Sequence, residues 1–142
     1  TQQPAAIGVL GAGAWGTALA VLLARNGRRV LLWGRARAAL DEIAHTRRNA
    51  RYLPDVSLPA AISVHSDIAT LAREAREFLV AVPSHAFRTA LAELAPHLTP
   101  SAILAWATKG LEPSSGKLLG EVVHEVIGSG SPCGVVSGPT FA

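Results

Sequence analysis

The sequence is poor in cysteine, in aromatic residues and in charge, and each shortage excludes a class of protein. Its one cysteine, Cys133, cannot form a disulfide within the chain, which excludes a disulfide-stapled scaffold and favours a reducing, cytoplasmic setting. Aromatic residues make up 5% of the chain, and the net charge of +3 is spread without any long basic block, so we expect no nucleic-acid partner. The small positive excess suits an anionic small molecule.

Other absences narrow the class further. No apolar run approaches the length that spans a bilayer, so we expect no membrane insertion. No second histidine or cysteine lies at metal-ligand spacing from His65, so we expect no metal site. The chain contains no methionine, and we expect that its start has been trimmed. What is present, 142 residues of which 49% are hydrophobic, is enough for one ordered domain with a core of its own.

The most informative stretch is a glycine pattern near the start of the chain. An apolar run at residues 7–10 leads into Gly11-x-Gly13-x-x-Gly16 and then into small, helix-forming residues. Gly11 allows a tight turn, Gly13 lets a phosphate approach the backbone, and Gly16 lets the new helix pack close to the sheet. The pattern predicts a dinucleotide site at the start of a helix, where free N–H groups attract a pyrophosphate. A structural turn that binds nothing stays open as the alternative.

The acidic residue that NAD-binding proteins typically place after their second strand is absent here. The predicted second strand, residues 29–33, is followed instead by Gly34 and Arg35. Arg35 lies close to the expected offset from Gly16, and a guanidinium there could pair with the 2′-phosphate of NADP. The cofactor is therefore predicted as NADP or NAD, with NADP favoured. Arg35 as a solvent-exposed residue at a strand end remains the alternative.

Strand-like and helix-like segments alternate along the whole chain. The predicted strands are residues 7–10, 29–33, 61–65, 77–82, 102–107 and 134–137. The predicted helices are residues 14–26, with Leu19, Leu22 and Leu23 on one face, and residues 36–48, 66–75, 84–98 and 116–127, while residues 53–59 read as a loop. This order predicts an α/β fold, a doubly wound (Rossmann) and mostly parallel sheet of about six strands with helices on both faces.

Two later strand ends carry side chains suited to a ligand. The fourth strand runs into Pro83, Ser84 and His85, where Ser84 either borders the cofactor or only caps the next helix. We expect His85 to be structural rather than a general acid. Lys109 follows the fifth strand, where a cation would meet both substrate and nicotinamide, although a solvated loop lysine is the alternative.

Five blocks together make the chain resemble a known family. They are GAGAWGTALA at residues 11–20, Asn49 with YLP at residues 52–54, VPSH at residues 82–85, TKGLE at residues 108–112 and SGPTFA at residues 137–142. In this order they resemble the bacterial NAD(P)-dependent sn-glycerol-3-phosphate dehydrogenases. The resemblance implies reversible hydride transfer between NAD(P)H and dihydroxyacetone phosphate, giving the sn-glycerol 3-phosphate from which phospholipids are made.

The resemblance also implies roles for individual residues. The cofactor would contact the three glycines and Pro83 together with Ala14, Trp15, Arg35, Lys109 and Ala142. The substrate would contact Lys109, Gly138 and Thr140, with Lys109 in a supporting catalytic role. The family commonly has serine where this chain has Ala14, so one hydroxyl contact to the cofactor is missing.

Proteins of this family continue into a helical domain that carries the proton-donating lysine and the residues that hold the substrate phosphate. We therefore expect residues 1–142 to be the NAD(P)-binding domain, incomplete at its C-terminal end and inactive alone, with the helical substrate domain absent. Two alternatives are a free-standing NAD(P)-binding regulatory module and the cofactor domain of a 6-phosphogluconate or 3-hydroxyacyl type dehydrogenase. The TKGLE block speaks against the second, and a homodimer is left open.

Overall fold

The computed structural model describes residues 4–137, in which strands and helices alternate. The strands are β1 (Ala6–Leu10), β2 (Val30–Trp33), β3 (Arg48–Asn49), β4 (Leu53–Ser57), β5 (Ile62–His65), β6 (Ala75–Val80), β7 (Ile103–Trp106) and β8 (Cys133–Val135). The α-helices are α1 (Ala14–Arg25), α2 (Arg37–Thr46), α3 (Ile68–Glu74), α4 (Ser84–Leu94) and α5 (Leu119–Ile127). Each strand predicted from the sequence is present, with its ends shifted by at most two residues.

Six of these strands form one parallel sheet in the order β5-β2-β1-β6-β7-β8. The chain winds outward from β1 in one direction through β2 and β5, and in the other through β6, β7 and β8. Since all six strands are parallel, their carboxyl ends meet at one edge of the sheet. The doubly wound fold is thereby confirmed, and its switch point lies between β1 and β6, where such folds bind ligands.

Helices cover both faces of the sheet because the strands bury apolar residues on both sides. Within β1, Ala6 and Leu10 contribute to one core cluster, while Ile7 and Val9 contribute to the other. The first cluster is closed by α3, α4 and α5, the second by α1 and α2. No helix in the described part of the chain is long and apolar enough to cross a membrane.

The buried face of α1 differs from the prediction. Leu22 is 55% exposed, and the residues that α1 buries are mostly small: Gly16, Thr17, Ala20, Val21 and Ala24. The glycine turn brings the start of α1 so close to the sheet that small side chains fit there and leucine does not. Leu19 and Leu23 are half-buried against the second core cluster, so only Leu22 departs from the predicted three-leucine face.

Two segments were assigned to the wrong secondary structure. Residues 53–57, predicted as loop, form β4 and pair antiparallel with β3 in a separate two-stranded ribbon. Helix α5 begins at Leu119 rather than at Gly116, because residues 112–117 fold into a turn in which the Glu112 N–H donates to the Lys117 carbonyl. Gly116 has a φ of +71° inside that turn, a backbone conformation outside the right-handed helix.

Candidate functional site

The carboxyl ends of β1, β2, β6 and β7 open into one cleft of about 670 Å³ at the switch point of the sheet. Its lining includes most of the residues that the sequence assigned to a cofactor: Gly11, Gly13, Ala14, Trp15, Arg35, Pro83 and Lys109. Gly16 is buried behind the turn instead of lining the cleft. Gly138, Thr140 and Ala142 lie outside the described residues.

The three glycines of the turn have different reasons to be glycine. Gly11 has a φ of +119°, and a Cβ there would lie 2.8 Å from the carbonyl oxygen of Ala81. A Cβ on Gly16 would lie 1.7 Å from the carbonyl oxygen of Gly11, so the fold itself requires both glycines. A Cβ on Gly13 would meet no atom of the described residues within 4 Å, and its φ of −81° suits any residue. The fold does not require glycine at position 13, whereas a phosphate against this backbone would.

The start of α1 faces the cleft without a side chain to cap it. Gly13 is its N-cap residue, no side chain accepts a hydrogen bond from its first turn, and no acidic residue lies in that turn. The first N–H groups of a helix have no partner within the helix, and they carry its positive dipole end. Together with the open position at Gly13, this arrangement fits the pyrophosphate of a dinucleotide.

Asn49 supports the glycine turn from behind. Its side chain is 3% exposed, and Nδ2 donates to the carbonyl oxygen of Ala12 at 2.8 Å and to Oγ1 of Thr17 at 2.9 Å. One amide therefore fixes both the turn and the first part of α1. In the sequence Asn49 was noted only as part of the family resemblance. Its position on β3, next to the ribbon strand that was taken for a loop, explains why no local pattern revealed its role.

The cleft is electropositive, which favours an anionic ligand. Among the residues that the structure describes, four cationic side chains line it, Arg35, Arg48, Arg51 and Lys109, against the single acidic side chain of Glu42. The Arg35 guanidinium lies 5.5 Å from the centre of the Trp33 ring and forms an ion pair with Glu93 on α4 at 2.8 Å. Arg35 therefore lines the cleft while its guanidinium is already partnered by protein groups.

Trp15 and Lys109 join the two sides of the site. Nε1 of Trp15 donates to the carbonyl oxygen of Ala107 at 3.2 Å, which ties the start of α1 to the end of β7. Nζ of Lys109 lies 5.3 Å from the centre of the Trp15 ring, within the range of a cation–π contact. Both residues also line a second cavity of about 540 Å³ that extends towards Val136 and Ser137. Lys109 thus stands where the two cavities meet.

The loop that carries Lys109, residues 108–118, is held by polar contacts that the sequence did not reveal. Oγ1 of Thr108 donates to the carbonyl oxygen of Val82 at 2.7 Å. The buried Glu112 accepts two hydrogen bonds from Arg88, at 2.8 and 2.9 Å, and one from Ser115 at 2.6 Å. The bonds from Arg88, and then that from Ser115, lower the pKa of Glu112 to about 2, and the same pairing raises the pKa of Arg88. Glu112 is thus a fixed anion that anchors the loop.

The two polar residues after β6 separate in the structure. Ser84 lines the cleft, but it is the first residue of α4, and Pro83 holds the cap position without any side-chain cap. The interpretation of Ser84 as a helix cap is therefore wrong. Ser84 lies instead at the border of the cleft. His85 is exposed and is absent from the lining of the cleft.

A doubly wound parallel sheet with a glycine turn, an uncapped helix start and a cationic cleft at its switch point defines a Rossmann-type, nucleotide-binding α/β domain. Comparison with known families narrows this class. Residues 6–142 match the family described as NAD-dependent glycerol-3-phosphate dehydrogenase N-terminus, and the chain belongs to that family. This membership favours the glycerol-3-phosphate type over the 6-phosphogluconate and 3-hydroxyacyl alternatives.

Individual relatives agree with the family. The chain is 48% identical over 138 residues to a glycerol-3-phosphate dehydrogenase [NAD(P)+] of Klebsiella pneumoniae, covering 97% of this chain and 41% of the relative. It is 46% identical over 140 residues to the enzyme of the same name from Yersinia pestis, covering 99% of this chain and 41% of that protein. The crystal structure of glycerol-3-phosphate dehydrogenase from Coxiella burnetii has a TM-score of 0.90 at 38% identity, covering 96% of this chain and 42% of that one. The chain thus spans about 41% of the length of the curated relatives that it matches.

Proposed function

We propose that residues 1–142 are the cofactor-binding domain of an enzyme that transfers hydride reversibly between NAD(P)H and dihydroxyacetone phosphate to give sn-glycerol 3-phosphate. The observation that carries the proposal is Gly13, a glycine that no contact among residues 4–137 requires, at an uncapped helix start in a cationic cleft. The relatives from Klebsiella pneumoniae and Yersinia pestis are glycerol-3-phosphate dehydrogenases [NAD(P)+], which supports the reaction. A phospholipid precursor is the corresponding product.

In this proposal, different residues bind different parts of the dinucleotide. The backbone at Gly13, Ala14 and Trp15 binds the pyrophosphate, and Arg35 receives the 2′-phosphate. When bound, the dinucleotide supplies or accepts the hydride. Lys109, at the junction of the two cavities, faces the substrate from this domain. Gly138 and Thr140 as substrate contacts, and Ala142 as a cofactor contact, remain predictions from the resemblance.

NADPH is the preferred cofactor in this proposal. No acidic residue occupies residues 33–37 to accept a hydrogen bond from a ribose 2′-hydroxyl, whereas Arg35 offers a planar set of donors to a 2′-phosphate. The charge-assisted hydrogen bonds between them favour NADPH over NADH by about tenfold or more. Such a preference originates at Arg35 alone, so removing this side chain abolishes it.

The test is a calorimetric titration of the chain with NADPH and with NADH. Arg35→Ala is expected to weaken NADPH to the level of NADH and to leave NADH unchanged. Arg29→Ala is the matched control, because Arg29 is equally exposed, forms an ion pair with Glu74 and lies away from the cleft. Equal affinities in the wild-type chain, or a preference for NADH that Arg35→Ala leaves intact, would rule out the NADPH preference. No binding of either cofactor would rule out the dinucleotide site itself.

The substrate half of the proposal has a test of its own. With NADP+ bound, the substrate contacts of this domain are expected to give weak binding of glycerol 3-phosphate, and Lys109→Gln is expected to weaken that binding further. Lys117→Gln serves as the control, because Lys117 belongs to the same loop but pairs with Glu125 on α5 and lines neither cavity. Equal effects of the two substitutions would contradict a substrate role for Lys109.

A further inference from the structure

We infer that Glu93 restrains the selection of NADPH, because its carboxylate holds the guanidinium of Arg35 and competes with the 2′-phosphate for it. The inference rests on the proposed function, since it concerns the same cofactor site. Glu93 does not line the cleft, yet in this inference its carboxylate weakens the binding of NADPH relative to NADH.

The geometry around Arg35 carries the inference. Its guanidinium lies over the ring of Trp33, which is itself fixed by a hydrogen bond from Nε1 to the Ser66 carbonyl at 3.2 Å. Nη2 of Arg35 contacts Oε1 of Glu93, in the last turn of α4, at 2.8 Å. The Trp33 ring and the Glu93 carboxylate therefore hold the guanidinium in one place, and its Nη2 group is already bound to Glu93.

A 2′-phosphate entering this position meets both partners of the ion pair. Arginine binds phosphate through parallel N–H groups, so a carboxylate on one of those groups reduces the number available. The Glu93 carboxylate would also stand within ion-pair distance of the same guanidinium as a doubly negative phosphate, which is repulsive. The 2′-phosphate must displace Glu93 or bind against it, and either event weakens NADPH binding. NADH carries a neutral hydroxyl at this position and meets neither cost.

The other charges that line the cleft do not replace this contact. Arg48 donates to the carbonyl oxygen of Pro54 at 3.2 Å, and the Arg51 guanidinium lies 5.2 Å from the centre of the Tyr52 ring. Both belong to the two-stranded ribbon or its turn, whereas Arg35 follows β2. They raise the affinity of the cleft for anions in general. Discrimination at the 2′-position remains with Arg35 and its partner.

The ion pair is weak enough to be displaced. The side chains of Arg35 and Glu93 are 49% and 40% exposed, and ion pairs exposed to this degree contribute little to stability. Glu93 therefore attenuates NADPH binding without blocking it. Its removal is expected to tighten NADPH by about threefold to tenfold.

Glu93→Gln tests the inference, because glutamine keeps the shape and removes the charge. We expect the dissociation constants of NADPH and of adenosine 2′,5′-bisphosphate to fall by about threefold to tenfold, and those of NADH and ADP to change by less than about twofold. Glu74→Gln is the matched control, since Glu74 and its partner Arg29 are 38% and 47% exposed. In an Arg35→Ala background, Glu93→Gln is expected to tighten NADPH and adenosine 2′,5′-bisphosphate by less than it does in the wild-type chain, because only the repulsion between the carboxylate and the phosphate remains to be removed.

Three results would overturn the inference. In the first, Glu93→Gln leaves the affinity for adenosine 2′,5′-bisphosphate unchanged. In the second it weakens that affinity, so that Glu93 would orient Arg35 for the phosphate. In the third it tightens ADP and adenosine 2′,5′-bisphosphate equally, which would indicate a general change in charge. The proposed function fails separately, when the wild-type chain binds no dinucleotide or when Arg35→Ala leaves the ratio of the two cofactors unchanged.

Discussion

Two walls of the cleft are built by opposite means. The glycine turn, residues 11–16, gets its shape from missing side chains, since Gly11 and Gly16 stand where a Cβ would collide with backbone. The 108–118 loop gets its shape from polar side chains, through Thr108 and through the ion pair of Arg88 with the buried Glu112. The two walls meet where the Trp15 indole donates to the Ala107 carbonyl.

The difference separates what folding requires from what a ligand requires. In the glycine turn the two requirements fall on different residues, because the fold requires glycine at position 16 and only the proposed ligand would require it at position 13. In the 108–118 loop they fall on different parts of one segment, with Glu112 fixed by three hydrogen bonds and Lys109 presented to both cavities. Substitutions that act on one requirement and spare the other can test this separation.

The largest effect is expected from Gly16→Ala. Its new Cβ would lie 1.7 Å from the carbonyl oxygen of Gly11, so α1 must move away from the sheet. We expect the free energy of unfolding to fall by about 3 kcal/mol or more, as measured by urea denaturation.

Gly120→Ala is the matched control for that prediction. Gly120 is also helical, but its Cβ would be an ordinary 3.6 Å from the Trp106 ring. Alanine there should be neutral or should stabilise α5 by up to about 1 kcal/mol. Similar losses for the two substitutions would mean that the close approach at Gly16 is not what the fold depends on.

Asn49→Asp is expected to have the next largest effect, because it removes a hydrogen bond that holds the glycine turn. Aspartate cannot donate to the Ala12 carbonyl, and it buries a charge beside that oxygen. We expect a loss of about 2 kcal/mol in the free energy of unfolding, together with weaker NADPH binding. Asn26→Asp, at an exposed helix end, adds the same charge and should cost less than about 1 kcal/mol. An unchanged affinity for NADPH in Asn49→Asp would contradict the inference that Asn49 holds the glycine turn in its binding shape.

The glycine turn and the order of the strands were predictable because each is encoded locally. Three glycines at fixed spacing after an apolar run identify the turn, and alternating apolar segments identify the sheet. Arg35 and Lys109 could also be predicted as cleft residues, since each directly follows a strand of a parallel sheet. The structure brings both to the cleft.

The contacts that hold these residues were not predictable from the sequence, because they join distant segments through side chains. Arg88 and Glu112 are 24 residues apart, and Asn49 and Ala12 are 37 apart. Glu93 belongs to a helix that follows a different strand from the one before Arg35. The ribbon of β3 and β4 likewise depends on a pairing across a short turn, and proline at position 54 made it read as loop. The spacing of apolar residues along the sequence gives no indication of such long-range pairs.

Gly13→Ala sharpens the comparison, because it is expected to change binding and leave the fold intact. Its Cβ would meet no atom within 4 Å, so the free energy of unfolding should change by less than about 1 kcal/mol. The same Cβ would occupy the approach of the pyrophosphate and remove charge-assisted hydrogen bonds to it. We expect NADPH and NADH to weaken together by about tenfold, measured by titration. Unchanged affinity would mean that the pyrophosphate does not lie at Gly13.

The smallest effect is expected in the 108–118 loop and depends on pH. Hydrogen bonds from Arg88 and Ser115 lower the pKa of Glu112 from 4.5 to about 2. Between these values the unfolded chain binds a proton that the folded chain does not, so the stabilisation by this carboxylate is complete above pH 4.5 and is lost as the pH falls towards 2. The melting temperature of the wild-type chain should therefore exceed that of Glu112→Gln most clearly near neutral pH.

That difference should shrink as the pH falls through the same range. The carboxyl group of Asp67 also has a lowered pKa, but Asp67 shares no partner with Glu112, so its contribution cancels in the comparison. The pKa of Glu125 is lowered as well, and Glu125 shares Arg88 with Glu112, so the comparison is made with Glu125→Gln in both variants. A difference in melting temperature that stays constant down to about pH 3 would mean that the advantage of glutamate over glutamine at this position does not depend on the charge of the carboxyl group. The loop would then depend on the geometry of its contacts and not on charge, as the glycine turn does. The two walls would differ only in the atoms that fix their shape, which are backbone atoms in the turn and side-chain atoms in the loop.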